Sequence, residues 1–189
     1  MEIAVSTTTA EEYPFKQRLV LTTALAVFGC AADLWTKSYM FGRLGLPKRD
    51  NEWWMWEPYF GFETSINQGG LFGMFQGNTH ILAVISVVAL VGLMFWIFFR
   101  GALRDFLQTI ALGLIMGGIL GNLYDRLGLW GIRGVRDWIL FRYEPWTWPN
   151  FNIADMLLLA GAGCLILQSF RMEAAERKAK KALELQEST

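Results

Sequence analysis

The sequence is poor in the residues that build most soluble catalytic sites. It holds one His and two Cys in 189 residues. A single His, His80, leaves no His-rich metal cage and no Ser-His-Asp hydrolase unless that one residue does all the work. Cys30 and Cys164 are neither paired by spacing nor arranged as metal ligands. They read as small apolar residues and say nothing about redox compartment. Charge is scarce at 18%, and neither sign is in excess, with seventeen Lys+Arg against seventeen Asp+Glu. Without a basic excess there is no nucleic-acid footprint. Without an acidic one there is no acidic disordered chain.

What is abundant is apolar. Hydrophobic residues make up 53% of the chain and nine are Trp; mean hydropathy is +0.30. The apolar residues fall in blocks. Ile81 to Phe99 and Phe106 to Tyr124 are each 19 residues without a charge. Leu19 to Ala32 is uncharged and runs on into Asp33. Ile153 to Phe170 carries one charge, Asp155. A helix of ~19 residues spans roughly 28 Å, close to the hydrocarbon thickness of a bilayer. These segments are apolar all round, unlike surface helices. The reading is a single membrane domain, mainly α, with four transmembrane helices at approximately 17–36, 80–100, 104–124 and 153–172. Two outer-face loops, 37–79 and 125–152, and a charged helical tail, 173–189, complete it.

Val27-Phe28-Gly29-Cys30 loosely matches a lipobox. The acids upstream, the bulky Phe28 and the three later spans argue against cleavage there, so the first helix stays in the mature protein. The short connection 101–105 makes spans two and three a tight antiparallel pair and puts both long connections on the opposite side. Both termini then share a side, taken as cytoplasmic. The positive-inside rule adds little, because nine cations fall on one side and eight on the other. Trp35, Trp53, Trp54, Trp56, Trp130, Trp138, Trp146 and Trp148 map to the long-loop side, a one-sided aromatic belt, while Trp96 lies at the other end.

Ionisable groups at membrane depth are functional hypotheses by default. Asp33 and Lys37 are spaced i,i+4 at the end of span one and read as a local salt bridge closing the helix. Asp125-Arg126 follows span three and either ties its end to backbone amides or acts in chemistry. Asp155 lies in the first turn of span four. There it suits the helix dipole and could form a reciprocal cap with Asn152. Asp137 sits in the preceding loop. Two facing carboxylates can hydrolyse an amide without metal. One, ionised, takes a proton from water; the other, protonated, bonds the scissile carbonyl and later feeds the leaving amine. Like charges in contact cannot both ionise, so such a pair shares one proton. From spacing alone any two of Asp33, Asp125, Asp137 and Asp155 could form it.

Four stretches together resemble one family, the lipoprotein signal peptidases (signal peptidase II). Asp33-Leu34-Trp35-Thr36-Lys37 is similar to its Asp-x-x-(Ser/Thr)-Lys motif. Asn67-Gln68-Gly69-Gly70-Leu71-Phe72-Gly73 resembles Asn-x-Gly-x-x-Phe-(Gly/Ser). Gly117-Gly118-Ile119-Leu120-Gly121-Asn122-Leu123-Tyr124-Asp125-Arg126 matches Gly-Gly-x-x-Gly-Asn-x-x-Asp-Arg at every fixed position. Val135-Arg136-Asp137-Trp138 and Phe151-Asn152-Ile153-Ala154-Asp155 resemble Val-x-Asp-(Phe/Trp) and Phe-Asn-x-Ala-Asp. The resemblance implies a bacterial inner-membrane aspartyl endopeptidase that cuts prolipoproteins just before a diacylglyceryl-modified Cys. It implies catalytic roles for Asp137 and Asp155. Asn67, Gly70, Asn122, Arg126 and Asn152 would line or support the site, and Asp33, Lys37, Gly118, Asp125 and Ala154 would be structural. A small β-rich cradle and a short interfacial helix on the outer, periplasmic face are implied as well. No cofactor and no metal are expected. Expected partners are the lipid-modified prolipoprotein and membrane lipids, with no nucleic acid, and the chain is expected to be monomeric.

The first loop is long, with Trp53-Trp54-Met55-Trp56 in its middle, and 128–134 lengthens the approach to Asp137. The Trp run reads either as an interfacial anchor or as a grip on lipid or substrate. Two other readings of the chain are a proton-relaying carrier and a non-catalytic membrane assembly factor.

Overall fold

The computed structural model describes residues 14–48, 52–70 and 75–187. Leu71, Phe72 and Gly73 of the second motif, and the acids Glu2, Glu11, Glu12 and Asp50, lie outside the described residues. Among the described residues are four long helices, α1 (Phe15–Leu44), α2 (Thr79–Phe99), α3 (Phe106–Arg126) and α4 (Ile153–Glu187), with strands β1 (Glu52–Trp56) and β2 (Phe60–Asn67) between α1 and α2, and β3 (Val135–Tyr143) and β4 (Trp146–Thr147) between α3 and α4. All four helices are long and apolar enough to cross a membrane. A 3-10 turn at Ala102–Arg104 joins α2 to α3. The short interfacial helix expected beside the sheet is not found among the described residues.

Helix α3 is the central post. Over half of its apolar stretch is buried, against a sixth or less in the other three. Glycine makes this possible. A Cβ on Gly113 would lie 2.7 Å from Leu25 of α1, and one on Gly117 3.1 Å from the Ala26 carbonyl oxygen. The small-residue stripe therefore lets α1 approach the α3 backbone. On the opposite flank, a Cβ on Gly118 would sit 2.5 Å from the Ala154 carbonyl oxygen of α4. Helix α2 is the outlier. Val84, Val88, Val91, Phe95 and Phe98 point outward and are exposed, the pattern of a helix solvated by lipid. The buried Ser86 hydroxyl donates to the Leu82 carbonyl at 2.9 Å, which satisfies it within the helix.

Helix α1 runs eight residues beyond its expected end at 36 and stops at Leu44, capped by Gly45. The extension is held because Lys37 and Met40 are buried. Met40 forms a cluster with Trp138 and Ile139, flanked by Phe41, Leu44, Phe60 and Phe62. The sheet thus packs on the projecting end of α1.

The sheet is antiparallel in the order β1-β2-β3-β4. Its register pairs Phe62 with Ile139, then, across a bulge, Ser65 with Asp137 and Asn67 with Val135. Side chains alternate along strands, so Asn67 and Asp137 share one face. The Trp run divides its labour. The Trp54 ring lies under the Arg142 guanidinium, 4.9 Å from its centroid, and Arg142 also pairs with Glu52. Trp53 packs on Phe62 at 5.4 Å and beneath Arg43. Met55 and Trp56 point outward and are exposed.

Candidate active site

The ends of α1, α3 and α4 and the start of β3 meet in one buried polar layer. It begins with ionic pairs. Lys37 Nζ lies 2.7 Å from Asp33 Oδ2 and 3.1 Å from Asp125 Oδ2, all fully buried. Asp33 Oδ1 accepts the Ala154 backbone N–H at 2.9 Å, so the first helix grips the opening turn of the fourth. Helix crossing here is tight enough that a Cβ on Gly121 would meet the Asp33 carboxylate.

Asp125 has a second cationic partner that sequence reasoning missed. Arg136 donates from Nε and Nη2 to Asp125 Oδ1 at 3.0 and 2.8 Å, and from its backbone N–H to Oδ2 at 3.0 Å. Its guanidinium lies 4.9 Å over the Trp130 ring, and Trp130 packs edge-on against Phe41. The added stretch before Asp137 is therefore pinned to α1 and α3. The one available signal was alternation along the strand, which turns Arg136 away from Asp137 and toward Asp125. Gly134, at φ +146°, closes the turn; a Cβ there would meet Ile66 at 2.5 Å.

From this base an amide ladder reaches the two candidate carboxylates. Asn122 Oδ1 accepts from Lys37 Nζ at 2.9 Å and from Asn152 Nδ2 at 3.2 Å. Asn122 Nδ2 donates to Asp155 Oδ1 at 2.9 Å. Asn152 Nδ2 donates to Asp137 Oδ1 at 2.5 Å, and Asn67 adds a further side-chain bond to Asp137. Asn152 and Asp155 also cap α4 reciprocally. Asp155 N–H donates to Asn152 Oδ1 at 3.0 Å, and Asn152 N–H to Asp155 Oδ2 at 3.2 Å. The reciprocal cap and the ladder use the same two side chains, so helix start and site geometry are one feature.

Burial of Asp137, and then the charge of Asp155, push the Asp137 carboxyl up from 3.8 to about 8. The Asn152 and Asn67 bonds and the Lys37 charge oppose that rise. Asp155 is only partly buried. The Arg126 guanidinium feels Asp155, Asp137 and Asp125, in that order. Its buried Nε has no hydrogen-bond partner among the described residues. Gly70 lies in the bend after β2, and Asn67 Oδ1 accepts the Gly69 N–H at 2.9 Å. Of the four acids open to pairing on spacing, Asp33 and Asp125 are taken by Lys37 and Arg136. Asp137 and Asp155 are bridged by the neutral amides of Asn152 and Asn122.

A family model described as signal peptidase (SPase) II matches residues 25–171. A lipoprotein signal peptidase of Rhodopirellula baltica is 48% identical over 162 residues, which is 81% of this chain and 73% of that protein. One from Symbiobacterium thermophilum is 29% identical, covering 82% of this chain and 97% of that one. A bacterial membrane enzyme solved by the in meso method superposes with TM-score 0.67 at 21% identity, covering 85% of this chain and 91% of the other. At that identity the likeness speaks for the fold alone.

Proposed function

The chain belongs to the signal peptidase II family, and on that premise we propose that it removes signal peptides from prolipoproteins with an Asp137–Asp155 dyad. It is a multi-pass membrane protease whose substrate is a prolipoprotein presented from the bilayer. The finer reading is that cleavage falls just before a diacylglyceryl-modified Cys. The supporting observation is the ladder that holds Asp137 and Asp155 in one layer, with Asp137 pushed up to about 8. At neutral pH Asp137 then carries the shared proton.

Asp155 takes a proton from water, whose oxygen attacks the scissile carbonyl carbon. The Asp137 proton goes to the carbonyl oxygen. The unspent N–H of Arg126 stabilises charge developing there. On collapse the C–N bond breaks, a proton passes to the leaving amine, and the dyad returns to its one-proton state. The layer lies at one end of α1, α3 and α4, and the half-buried Asp155 is the side from which water and a lipid-borne chain would approach in this reading. We place that end on the outer face of the bacterial inner membrane, with both termini cytoplasmic.

The test is cleavage of a diacylglyceryl-modified prolipoprotein by Asp137→Asn and Asp155→Asn. Both variants are expected to fold and to lose cleavage. Full activity in either would sink the dyad.

A further inference from the structure

Lys37 is fully buried, and its ammonium makes one hydrogen bond and two ion pairs. The hydrogen bond goes to Asn122 Oδ1 at 2.9 Å, and the ion pairs are with Asp33 Oδ2 at 2.7 Å and Asp125 Oδ2 at 3.1 Å. None of these three contacts is with Asp137 or Asp155. Two ion-pair partners alone would serve a purely structural lysine. The third contact, the hydrogen bond, goes instead to the side-chain amide that donates to Asp155.

An Asn side chain can turn end for end, exchanging its oxygen and nitrogen. For Asn122 only one orientation works. Turned over, its NH2 would face the Lys37 ammonium and the Asn152 NH2, donor against donor. Its oxygen would face the Asp155 carboxylate. In the observed orientation Oδ1 accepts from Lys37 and Asn152 while Nδ2 donates to Asp155. The shorter of the two bonds on Oδ1, and the only one from a charged donor, comes from Lys37. Charge-assisted bonds are roughly twice as strong as neutral ones.

We propose that Lys37 is a positioning residue of the dyad: its ammonium fixes the polarity of the Asn122 amide, which in turn orients Asp155 and, through Asn152, Asp137. The proposal rests on the dyad reading above. It gives the buried ion pairs a catalytic consequence. They anchor Lys37 at the one place from which a fixed cation can direct a neutral amide, without placing that cation against either acid. Lys37 touches no substrate in this scheme, so its loss acts on turnover and not on substrate binding.

Removing Lys37 alone would strand Asp33 and Asp125. Lys37→Met is therefore made both alone and with Asp33→Asn, which leaves Asp125 balanced by Arg136. The readouts are kcat and KM for a diacylglyceryl-modified prolipoprotein. In the Asp33→Asn background, Lys37→Met is expected to lower kcat on the order of 10–100-fold, the usual cost of removing a group that orients a catalytic ligand. KM is expected to stay within about twofold. A double-mutant cycle with Asn122→Ala decides the route. Acting through Asn122, Lys37→Met costs nothing further once Asn122→Ala is present. Multiplicative losses, or an unchanged kcat in Lys37→Met, would overturn the proposal. Leu112→Ala, in the core at the opposite end of the bundle, is the stability control and is expected to lower Tm while keeping kcat. If it lowers kcat as much at equal Tm loss, Lys37 is merely structural. Asp137→Asn in the same assay separates the two readings. If it stays active, the dyad fails; if it is inactive while Lys37→Met turns over fully, only the positioning role fails.

Discussion

Replacing Asp137 with Asn should make the protein more stable as well as inactive, and the gain should grow with pH. Asp137 is 2% exposed, and burial with the Asp155 charge raises its carboxyl from 3.8 to about 8. An acid raised in this way binds its proton more tightly in the folded state. Its contribution is fully present below about pH 4, where folded and unfolded chains are both protonated. Between about pH 4 and 8 the unfolded carboxyl ionises freely while the folded one does not, so stability falls as pH rises. At about 1.4 kcal/mol per pH unit, the loss at pH 7 is on the order of 4 kcal/mol. Asn is nearly isosteric and neutral at every pH, and its oxygen can keep the bond from Asn152.

The measurement is apparent Tm in detergent between pH 4.5 and 8.5 for wild type and Asp137→Asn, followed by intrinsic Trp fluorescence. The two should nearly coincide at the acid end and diverge by several degrees at pH 8. Parallel curves would show that Asp137 ionises normally in the folded state. The assignment of the shared proton to Asp137 would then be wrong even if the variant were inactive.

Cleavage rate should fall on the alkaline side with a midpoint near pH 8 as Asp137 loses its proton, and a rate flat to pH 10 would contradict its role as the acid. Asp155→Asn should lower kcat by about 10²–10⁴-fold, the usual worth of a positioned general base, with the folded fraction in gel filtration unchanged. Gly118→Ala pushes a methyl group to 2.5 Å from the Ala154 carbonyl oxygen and should cost about 1–3 kcal/mol, read as a lower Tm. A Tm equal to wild type would mean that α3 and α4 are not in close contact there. EDTA should leave cleavage unchanged, and inhibition reversed by added metal would overturn the metal-free mechanism.

The four spans and the order of the motifs were legible because both are local. An uncharged run of bilayer length declares itself, and so does a fixed string such as 117–126. The Asn152–Asp155 cap was legible for the same reason, since it lies within one helical turn. What escaped was non-local. Asp33 and Lys37 read as a salt bridge closing span one, yet Lys37 is buried among Asp33, Asn122 and Asp125, and the helix continues so that Met40 can meet the sheet. The register that sets Asp137 opposite Ser65 depends on a bulge in β2, which no pattern in the strand announces. Arg136 could be placed against Asp125 only once β3 was known to start beside the end of α3.

The chain's zero net charge takes on meaning at the level of this one layer. Asp33, Asp125 and Asp155 carry three negative charges, and Lys37, Arg126 and Arg136 carry three positive ones. With Asp137 protonated the layer is formally neutral, which makes seven ionisable side chains, five buried and two half-buried, tolerable at one end of an apolar bundle. Ionising Asp137 would leave one uncompensated charge in the same volume. Burial and then the Asp155 charge keep the proton on Asp137, and the charge balance of the whole layer is expected to add to them. It follows that neutralising a remote member should move the alkaline limb of the rate profile. Asp125→Asn removes one negative charge and should shift the limb to lower pH, because Asp137 can then ionise with less opposition. Arg136→Met removes a positive charge and should shift it to higher pH. Opposite displacements from two residues paired with each other would show that the layer acts as a single electrostatic unit. Equal displacements, or none, would confine control of Asp137 to its immediate neighbours.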